Sequence, residues 1–213
     1  MADTINISLK ENWKDILMST TKRSILIGGF LLMMGLIVVL PAFFNKIEKR
    51  PGVVLHDWVL AALPGHNFSI AIFAIIWVMG FLTLIRAVQK PAIFITYIWT
   101  MIFIVVARLI SITFVPLDPP IGLVPLTDPV NEIFYGHITV TKDLFFSGHT
   151  ATMTLIYLCL EKKTDKLIAL IALVTIMVLL LLQHIHYTID VLAAPFITYG
   201  LFRVTKAWLH VDL

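Results

Sequence analysis

Residues 24–44 read SILIGGFLLMMGLIVVLPAFF, a stretch of about 20 residues without a charged side chain. An α-helix of that length crosses the hydrocarbon core of a bilayer. The apolar core of a cleaved signal peptide is shorter, about 7–15 residues, and ends at a small-residue cleavage site. We therefore predict that this stretch is a transmembrane helix that stays in the mature protein.

The composition of the whole chain agrees with a membrane protein. Of its 213 residues, 59% are hydrophobic and 14% are charged, and the mean hydropathy is +0.95. Soluble domains carry about 45–50% apolar and about 25% charged residues. These values exclude a soluble enzyme, a disordered regulator and a nucleic-acid-binding domain. The net charge of +3 is too small to indicate a polyanionic partner, and the only cysteine, Cys159, cannot form an intrachain disulfide.

Five further apolar segments follow, and the second of the six is interrupted by Pro64-Gly65-His66-Asn67. We expect an all-α, polytopic membrane protein with six transmembrane helices in a bundle and a short amphipathic N-terminal helix. One membrane domain, 24–207, is expected between a cytoplasmic interfacial segment, 1–23, and a cytoplasmic tail, 208–213. The predicted spans cover residues 24–44, 58–85, 92–114, 144–160, 167–184 and 189–204.

Lysine and arginine residues indicate the orientation of these spans. Eleven of them fall on the side of the two termini and four in the opposite loops, while Arg108 lies inside the third span. Because cytoplasmic loops carry the excess of such residues, we expect both termini in the cytoplasm. Leu9, Trp13, Ile16 and Thr20 repeat at the spacing of one helix face. This spacing predicts an interfacial helix on the inner leaflet, with a solvated tail as the alternative.

Polar side chains from three distant parts of the chain approach the outer face in this topology. Arg108 lies toward the outer end of the third span, residues 147–150 (SGHT) begin the fourth, and residues 184–190 (HIHYTID) join the fifth to the sixth. Polar groups in or near hydrocarbon are costly, so each is a candidate for function. The topology thus predicts one site built from these elements.

The residue types at this site are those of acid–base and nucleophilic chemistry. His186 and Asp190 are four residues apart at the start of a helix, and therefore share a face. The carboxylate can accept a hydrogen bond from one imidazole nitrogen, which leaves the other as a nucleophile or base. His149, at the mouth of the fourth span, is placed to protonate a leaving alkoxide. We predict His149, His186 and Asp190 as catalytic residues.

A phosphate cradle is predicted beside them. Ser147, Gly148 and the first backbone N–H groups of the fourth span form a helix N-terminus, which favours anions. Arg108 can make bidentate contacts with phosphate oxygens. The whole set predicts phosphoryl transfer through a phosphohistidine, without a metal or another cofactor.

Plainer interpretations stay open for the same residues. A His-x-x-x-Asp pair or a Ser-Gly-His sequence is also typical of a helix cap, and an arginine near a span end often reaches the interface. The two histidines and the aspartate could instead ligate a metal ion. His184 could hydrogen-bond the site as a neighbour.

Two segments carry a family resemblance, KDLFFSGHT at 142–150 and HYTIDV at 186–191. They resemble the paired signatures of the lipid phosphatase/phosphotransferase (type 2 phosphatidic acid phosphatase) superfamily. More narrowly, they resemble its sphingomyelin synthase branch, whose signatures read Gly-Asp-Leu-x-Phe-Ser-Gly-His-Thr and His-Tyr-Thr-x-Asp. RLISITFVPLDP at 108–119 and RPGVVLHD at 50–57 are similar to further segments of that branch.

The resemblance implies a six-helix enzyme with an extracytoplasmic site. It implies His186 as nucleophile, Asp190 as its partner and His149 as general acid. Asp143 and Tyr187 lie inside the matched signatures, and we add them to Arg108, Ser147 and Gly148 as predicted substrate phosphate-binding residues.

Two departures from the family pattern bear on the substrate. Lys142 stands where the branch has glycine. The phosphatase relatives carry Lys-x6-Arg-Pro before the serine motif, whereas here Arg108 is followed after six residues by Val115-Pro116. One of two phosphate-binding cations is therefore missing, which favours a phosphodiester donor.

We expect an integral membrane lipid phosphotransferase that moves a phospho-headgroup from a phospholipid to a lipid alcohol, ceramide or diacylglycerol. Its partners are then the phospholipid donor, the lipid alcohol acceptor and the bilayer, with no nucleic acid. The alternatives are a lipid phosphate phosphatase or phospholipase C-type hydrolase with the same site, and a non-catalytic lipid transporter. A bacterial inner membrane is the expected location, and the sequence does not define the oligomeric state.

Overall fold

The fold is helical throughout the part of the chain that the computed structural model describes, residues 7–8, 10–126 and 140–211. Extended pairing in these ranges is limited to two isolated parallel bridges, Ile7 with Val211 and Val53 with Leu117. The helices described are α1 (Trp13–Met18), α2 (Thr20–Glu48), α3 (Trp58–Ala61), α4 (Ser69–Gln89), α5 (Pro91–Phe114), α6 (Gly148–Cys159), α7 (Lys163–Leu182) and α8 (Thr188–Leu209).

Four of these helices, α2, α4, α5 and α7, are long and apolar enough to cross a membrane. This indicates an integral membrane protein. With 12 residues, α6 is about 18 Å long, shorter than the roughly 30 Å of hydrocarbon. α8 has 22 residues but carries Asp190, Arg203 and Lys206. Length and composition thus support four membrane spans, and the total of six spans stays a prediction.

Three predicted spans include residues that are not helical in the structure. The fourth is expected over 144–160, but α6 begins only at Gly148, because Ser147 has a non-helical backbone and caps it. The second, expected over 58–85, is divided into α3 and α4 by the loop that contains Pro64-Gly65. The fifth is expected to reach residue 184, but α7 ends at Leu182.

α6 is the central helix, packed against α4, α5, α7 and α8. Met153 and Ile156 are buried in the cluster with α4 and α7, and Ala151 and Leu155 in the cluster with α5 and α8. A helix that is apolar on all sides is stable when neighbours surround it. α2 packs instead on α5, where Gly29 gives room to an indole ring of that helix.

The bundle has two ends, which we name by their contents. The site end is where α5 finishes and α6 and α8 begin, and the terminal end is the opposite one. At the terminal end an ion pair joins α4 to α7: Arg86 Nε lies 2.6 Å from Asp165 Oδ2. Lys90 pairs there with Glu161.

The N-terminal segment packs on the terminal end of the protein. Ile16 is fully buried in a cluster with α5 and α8, and Trp13 Nε1 donates to the carbonyl oxygen of Val88 at 2.7 Å. The single interfacial helix expected through Thr20 is corrected, because Ser19 has an extended backbone and separates α1 from α2. Leu9 lies outside the described residues, and contact of this segment with a leaflet stays a prediction.

Candidate active site

The junction of α7 and α8 holds His186 and Asp190 in place. Asp190 is the third residue of α8, and its Oδ2 accepts a hydrogen bond from the Tyr187 backbone N–H at 3.1 Å. Asp57, from the loop before α3, accepts from the Thr188 backbone N–H at 2.6 Å and from the Thr188 hydroxyl at 3.0 Å. The first turn of α8 is therefore fixed by carboxylates from two segments.

His186 and Asp190 face each other as their spacing predicts, at a longer distance than a hydrogen bond. Nδ1 of His186 lies 3.6 Å from Oδ2 of Asp190, and both side chains are buried. Neither His186 Nδ1 nor Asp190 Oδ1 has a hydrogen-bond partner among the residues that the structure describes. Such contacts are often long before substrate binds. The arrangement turns Nδ1 toward the carboxylate and leaves Nε2 for chemistry.

The start of α6 brings His149 close to His186. The Ser147 backbone N–H donates to the carbonyl oxygen of Asp190 at 3.1 Å, which ties α6 to α8. As a result the two imidazole rings lie 6.4 Å apart between centroids, with an angle of 65° between their planes. Residues 37 positions apart in the sequence thus form one histidine pair.

Ser147 takes part in this site as a helix cap. Its Oγ accepts hydrogen bonds from the Thr150 backbone N–H at 3.4 Å and from the Thr150 hydroxyl at 3.2 Å, and the residue is fully buried. The observed role of Ser147 is therefore that of a cap, and its contact with phosphate stays a prediction. Its hydroxyl is enclosed and is used to begin α6.

Arg108 reaches the same place from α5. Its Nε donates to the carbonyl oxygen of Phe146 at 2.9 Å, and its Nη2 donates to Asp143. Gly148 makes this possible, because a Cβ there would stand 2.3 Å from Nη1. The close approach expected at this glycine is observed, and the group that approaches is the guanidinium.

Asp143 holds Arg108 and is not suited to hold phosphate. Burial alone raises the pKa of Asp143, but the Arg108 guanidinium outweighs this and keeps the pKa below its ordinary value. The carboxyl is therefore ionised at neutral pH and would repel a phosphate. Its observed role is to position the arginine, and phosphate contact by Asp143 stays a prediction that this charge disfavours.

Tyr187 also has a role other than the one predicted. Its hydroxyl donates to the carbonyl oxygen of Asp118 at 2.8 Å and accepts from the Leu55 backbone N–H at 3.1 Å. The side chain is 1% exposed. Phosphate contact by Tyr187 is not supported by this geometry, because the hydroxyl joins α8 to two loops.

A cavity of about 300 Å³ opens beside His149, and His186 is not among the described residues that line it. Arg108, Asp143 and His149 line it with polar groups. The rest of its wall comes from α2, α4, α5, α6 and the chain before α6: Phe44, Ile76, Met101, Ile104, Val105, Val140, Gly148 and Thr152. The cavity therefore combines a charged head region with an apolar wall, which suits a lipid phosphate group.

Two acidic residues that sequence reasoning missed hold this site together. Asp57 fixes the start of α8, as described above. Glu48, at the end of α2, accepts hydrogen bonds from the backbone N–H groups of Thr141 and Lys142 at 2.6 and 2.7 Å. Asp57 lies in a segment that carries the family resemblance, and that signal could have identified it. Glu48 has no local signal, because its partners lie more than 90 residues away.

His184 contacts other segments instead of the catalytic pair. Its Nδ1 lies 3.1 Å from the carbonyl oxygen of Ile121, and its Nε2 lies 3.1 Å from that of Leu63. Across residues 7–8, 10–126 and 140–211, no three His, Cys, Asp or Glu side chains are placed to share a metal ion. The alternative of a metal site thus gains no support from the geometry.

Residues 140–207 match the family model described as PAP2 superfamily C-terminal. The match supports membership of the PAP2 superfamily. It covers α6 to α8, and with them His149, His186 and Asp190. PAP2 superfamily members are generally phosphatases or phosphotransferases, which supports an enzyme. No curated protein matches the chain.

Proposed function

We propose that this protein is a membrane lipid phosphotransferase of the sphingomyelin synthase type. It moves the phospho-headgroup of a phospholipid to the hydroxyl of ceramide or diacylglycerol. His186 is the nucleophile, Asp190 its partner and His149 the general acid and base. Arg108 and the backbone N–H groups that begin α6 bind the phosphate.

In the first half of the reaction, Nε2 of His186 attacks phosphorus. The new N–P bond replaces the P–O bond to diacylglycerol, and His149 gives its proton to the departing oxygen. The Asp190 carboxylate stabilises the charge that forms on the His186 ring. The headgroup stays on His186 as a phosphohistidine with one remaining ester bond, a phosphoramidate monoester.

In the second half, the acceptor hydroxyl takes the place of diacylglycerol. His149 removes its proton, the oxygen attacks phosphorus, and the N–P bond breaks to restore His186. If water takes this place instead, the same residues perform hydrolysis. The apolar wall formed by Ile76, Met101 and Val105 favours a lipid acceptor over water.

The observation that carries this proposal is the meeting of α5, α6 and the start of α8 at the site end, next to the cavity that Arg108 and His149 line. The two imidazoles lie 6.4 Å apart, and Arg108 lies against the first residue of α6. If these residues were only helix caps or an arginine that reaches the membrane interface, the three helices would have no need to meet at one place.

The number of cations favours a phosphodiester donor. Among the described residues that line the cavity, Arg108 is the only basic one besides His149. Lys142 is close in sequence, but its Nζ lies 2.7 Å from Asp118 Oδ1. One fixed cation matches the single negative charge of a phosphodiester better than the two charges of a phosphomonoester.

The test is a transfer assay with the purified protein in detergent micelles. Phosphatidylcholine labelled in its headgroup is supplied with ceramide or with diacylglycerol. A labelled phospholipid built on the acceptor supports the transferase, and with diacylglycerol this product is recognised by the acyl chains of the added acceptor. Released phosphocholine instead indicates hydrolysis. His186→Ala is expected to abolish turnover, and His66→Ala, an exposed histidine at the same end, is the matched control. More than a few per cent of activity in folded His186→Ala would contradict the nucleophile assignment.

We also propose that both termini are cytoplasmic and that the site end faces the extracytoplasmic side of a bacterial inner membrane. The excess of lysine and arginine at the terminal end supports this orientation. Cys159 is buried, so a cysteine placed at the exposed Trp58 gives a clean label site. Trp58→Cys should react with a membrane-impermeant maleimide from outside intact cells, and labelling only after lysis would reverse the orientation.

A further inference from the structure

The side chain of His184 connects three segments at the site end. It belongs to the turn between α7 and α8, and it is 6% exposed. One ring nitrogen contacts the carbonyl oxygen of Leu63, in the loop before α4. The other contacts the carbonyl oxygen of Ile121, in the loop after α5. One side chain thus joins both loops to the turn that carries His186.

The partners of His184 select its protonation state. A carbonyl oxygen can only accept a hydrogen bond, and a neutral imidazole has one N–H to give. Neutral His184 would turn a lone pair toward one of the two carbonyl oxygens at 3.1 Å. The imidazolium donates to both, so two buried carbonyl groups are satisfied together.

The surrounding backbone is shaped to hold this ring. His184 itself has φ 55°, which non-glycine residues seldom adopt. Gly122 has φ 82°, and a Cβ there would lie 3.1 Å from Nδ1 of His184. A larger residue at Gly122 would therefore push the ring off its contact with Ile121.

Within residues 10–126 and 140–211, the other ionisable groups on the segments around His184 are engaged elsewhere or exposed. Asp118 is paired with Lys142, and Asp190 accepts from the Tyr187 backbone N–H. His66 is exposed. The two carbonyl oxygens are thus the groups that the ring faces at hydrogen-bond distance.

We propose that His184 is a positioning residue, an imidazolium that clamps two loops of the site end to the turn and thereby fixes His186. This role rests on the proposed function of His186. The neighbouring anchor supports it: the Gln183 amide donates to Ser69 Oγ at 2.9 Å, and its oxygen accepts from the Phe68 backbone N–H at 2.9 Å. The turn before the nucleophile is therefore attached at successive residues.

The first experiment measures protonation without any enzymatic activity. The protein is labelled with ¹⁵N-histidine, and the His184 ring signals are assigned by their loss in His184→Gln. Both ring nitrogens of His184 are expected to carry a proton at neutral pH. A bare ring nitrogen at neutral pH would overturn the proposal. This result stands whether or not the protein transfers a phospho-headgroup.

The second experiment separates positioning from substrate binding. A displacement of about 1 Å at a nucleophile can cost up to about 100-fold in rate. We expect His184→Gln to lower kcat at least about tenfold, while KM stays within about twofold because Arg108 is unchanged. His66→Gln is the matched control and should keep wild-type values. Equal kcat in His184→Gln and wild type, or equal losses in both variants, would overturn the role.

The two arms distinguish the failure of each proposal. If His184→Gln does not fold, the His184 ring signals of the wild-type protein are assigned by elimination, from single substitutions of the other six histidines, and they still decide the protonation state. If His186→Ala keeps its activity while His184 is doubly protonated, the proposed function fails. His184 then still joins the two loops to the turn, but its role in positioning a nucleophile is overturned.

Discussion

Gly148 offers the sharpest test of the proposed phosphate-binding site. A Cβ at this position would stand 2.3 Å from Nη1 and 2.6 Å from Cζ of Arg108. Non-bonded heavy atoms are comfortable at about 3.5–4.0 Å, so the guanidinium must withdraw by about 1 Å in Gly148→Ala. Its contacts with Phe146 and Asp143 oppose that movement.

The cost follows from the hydrogen bonds that a displaced guanidinium no longer makes to phosphate. A hydrogen bond to a charged group contributes about 1.5–3 kcal/mol. Losing one such contact lowers kcat/KM by about 10- to 150-fold. We therefore expect Gly148→Ala to fall in this range, with the helical content of the protein unchanged.

The assay is headgroup transfer from labelled phosphatidylcholine, with circular dichroism as the check of folding. Gly35→Ala is the matched control, because a Cβ there meets nothing within 4 Å. In the Arg108→Ala background the added methyl group has room, so Gly148→Ala should then cost less than about twofold. Wild-type kcat/KM in Gly148→Ala, or an equal loss in both backgrounds, would refute the reasoning.

Three further predictions concern the contacts that hold the site end together. Gly52→Ala should destabilise the protein by about 1–3 kcal/mol in chemical denaturation, because its Cβ would lie 2.5 Å from the backbone carbon of Leu117; an unchanged unfolding midpoint would contradict this. Tyr187→Phe should also lower the free energy of unfolding, by about 1–3 kcal/mol, because the carbonyl oxygen of Asp118 loses its donor. A greater loss of substrate binding than of stability would instead indicate that Tyr187 contacts the phosphate. The hydrogen bond from Lys142 lowers the pKa of the Asp118 carboxyl, so its contribution to stability is present above the unfolded pKa of about 4 and is lost as the pH falls through the folded pKa. Thermal unfolding from pH 7 to pH 3 should show a smaller decline in Asp118→Asn than in wild type, and parallel curves would exclude the effect.

The local patterns were sufficient to predict the helical fold and that His149, His186 and Asp190 lie close together. Apolar runs of span length located α2, α4, α5 and α7, because length and hydropathy are properties of a segment by itself. The four-residue spacing of His186 and Asp190 predicted that they face each other, because a helix has a fixed repeat. These inferences need no knowledge of distant partners.

Roles that depend on distant partners could not be predicted in this way. Asp143 was assigned to phosphate, but its charge is used by an arginine 35 residues earlier. Tyr187 was assigned likewise, and its hydroxyl bonds a loop 69 residues away. The shortness of α6 was also missed, since its apolar run continues into the non-helical residues before Ser147. A sequence motif identifies residue types, whereas tertiary contacts decide which of them face the cavity.

The central claim is that the headgroup passes through a covalent bond to His186. The direct measurement is a rapid quench of the purified protein with phosphatidylcholine and no acceptor, followed by mass spectrometry of its peptides under alkaline conditions. The account predicts an added phosphocholine group on the peptide that contains His186, and its transfer to ceramide on chase. An active protein that carries the group on another residue, or that transfers it with no adduct at any time, would contradict the account.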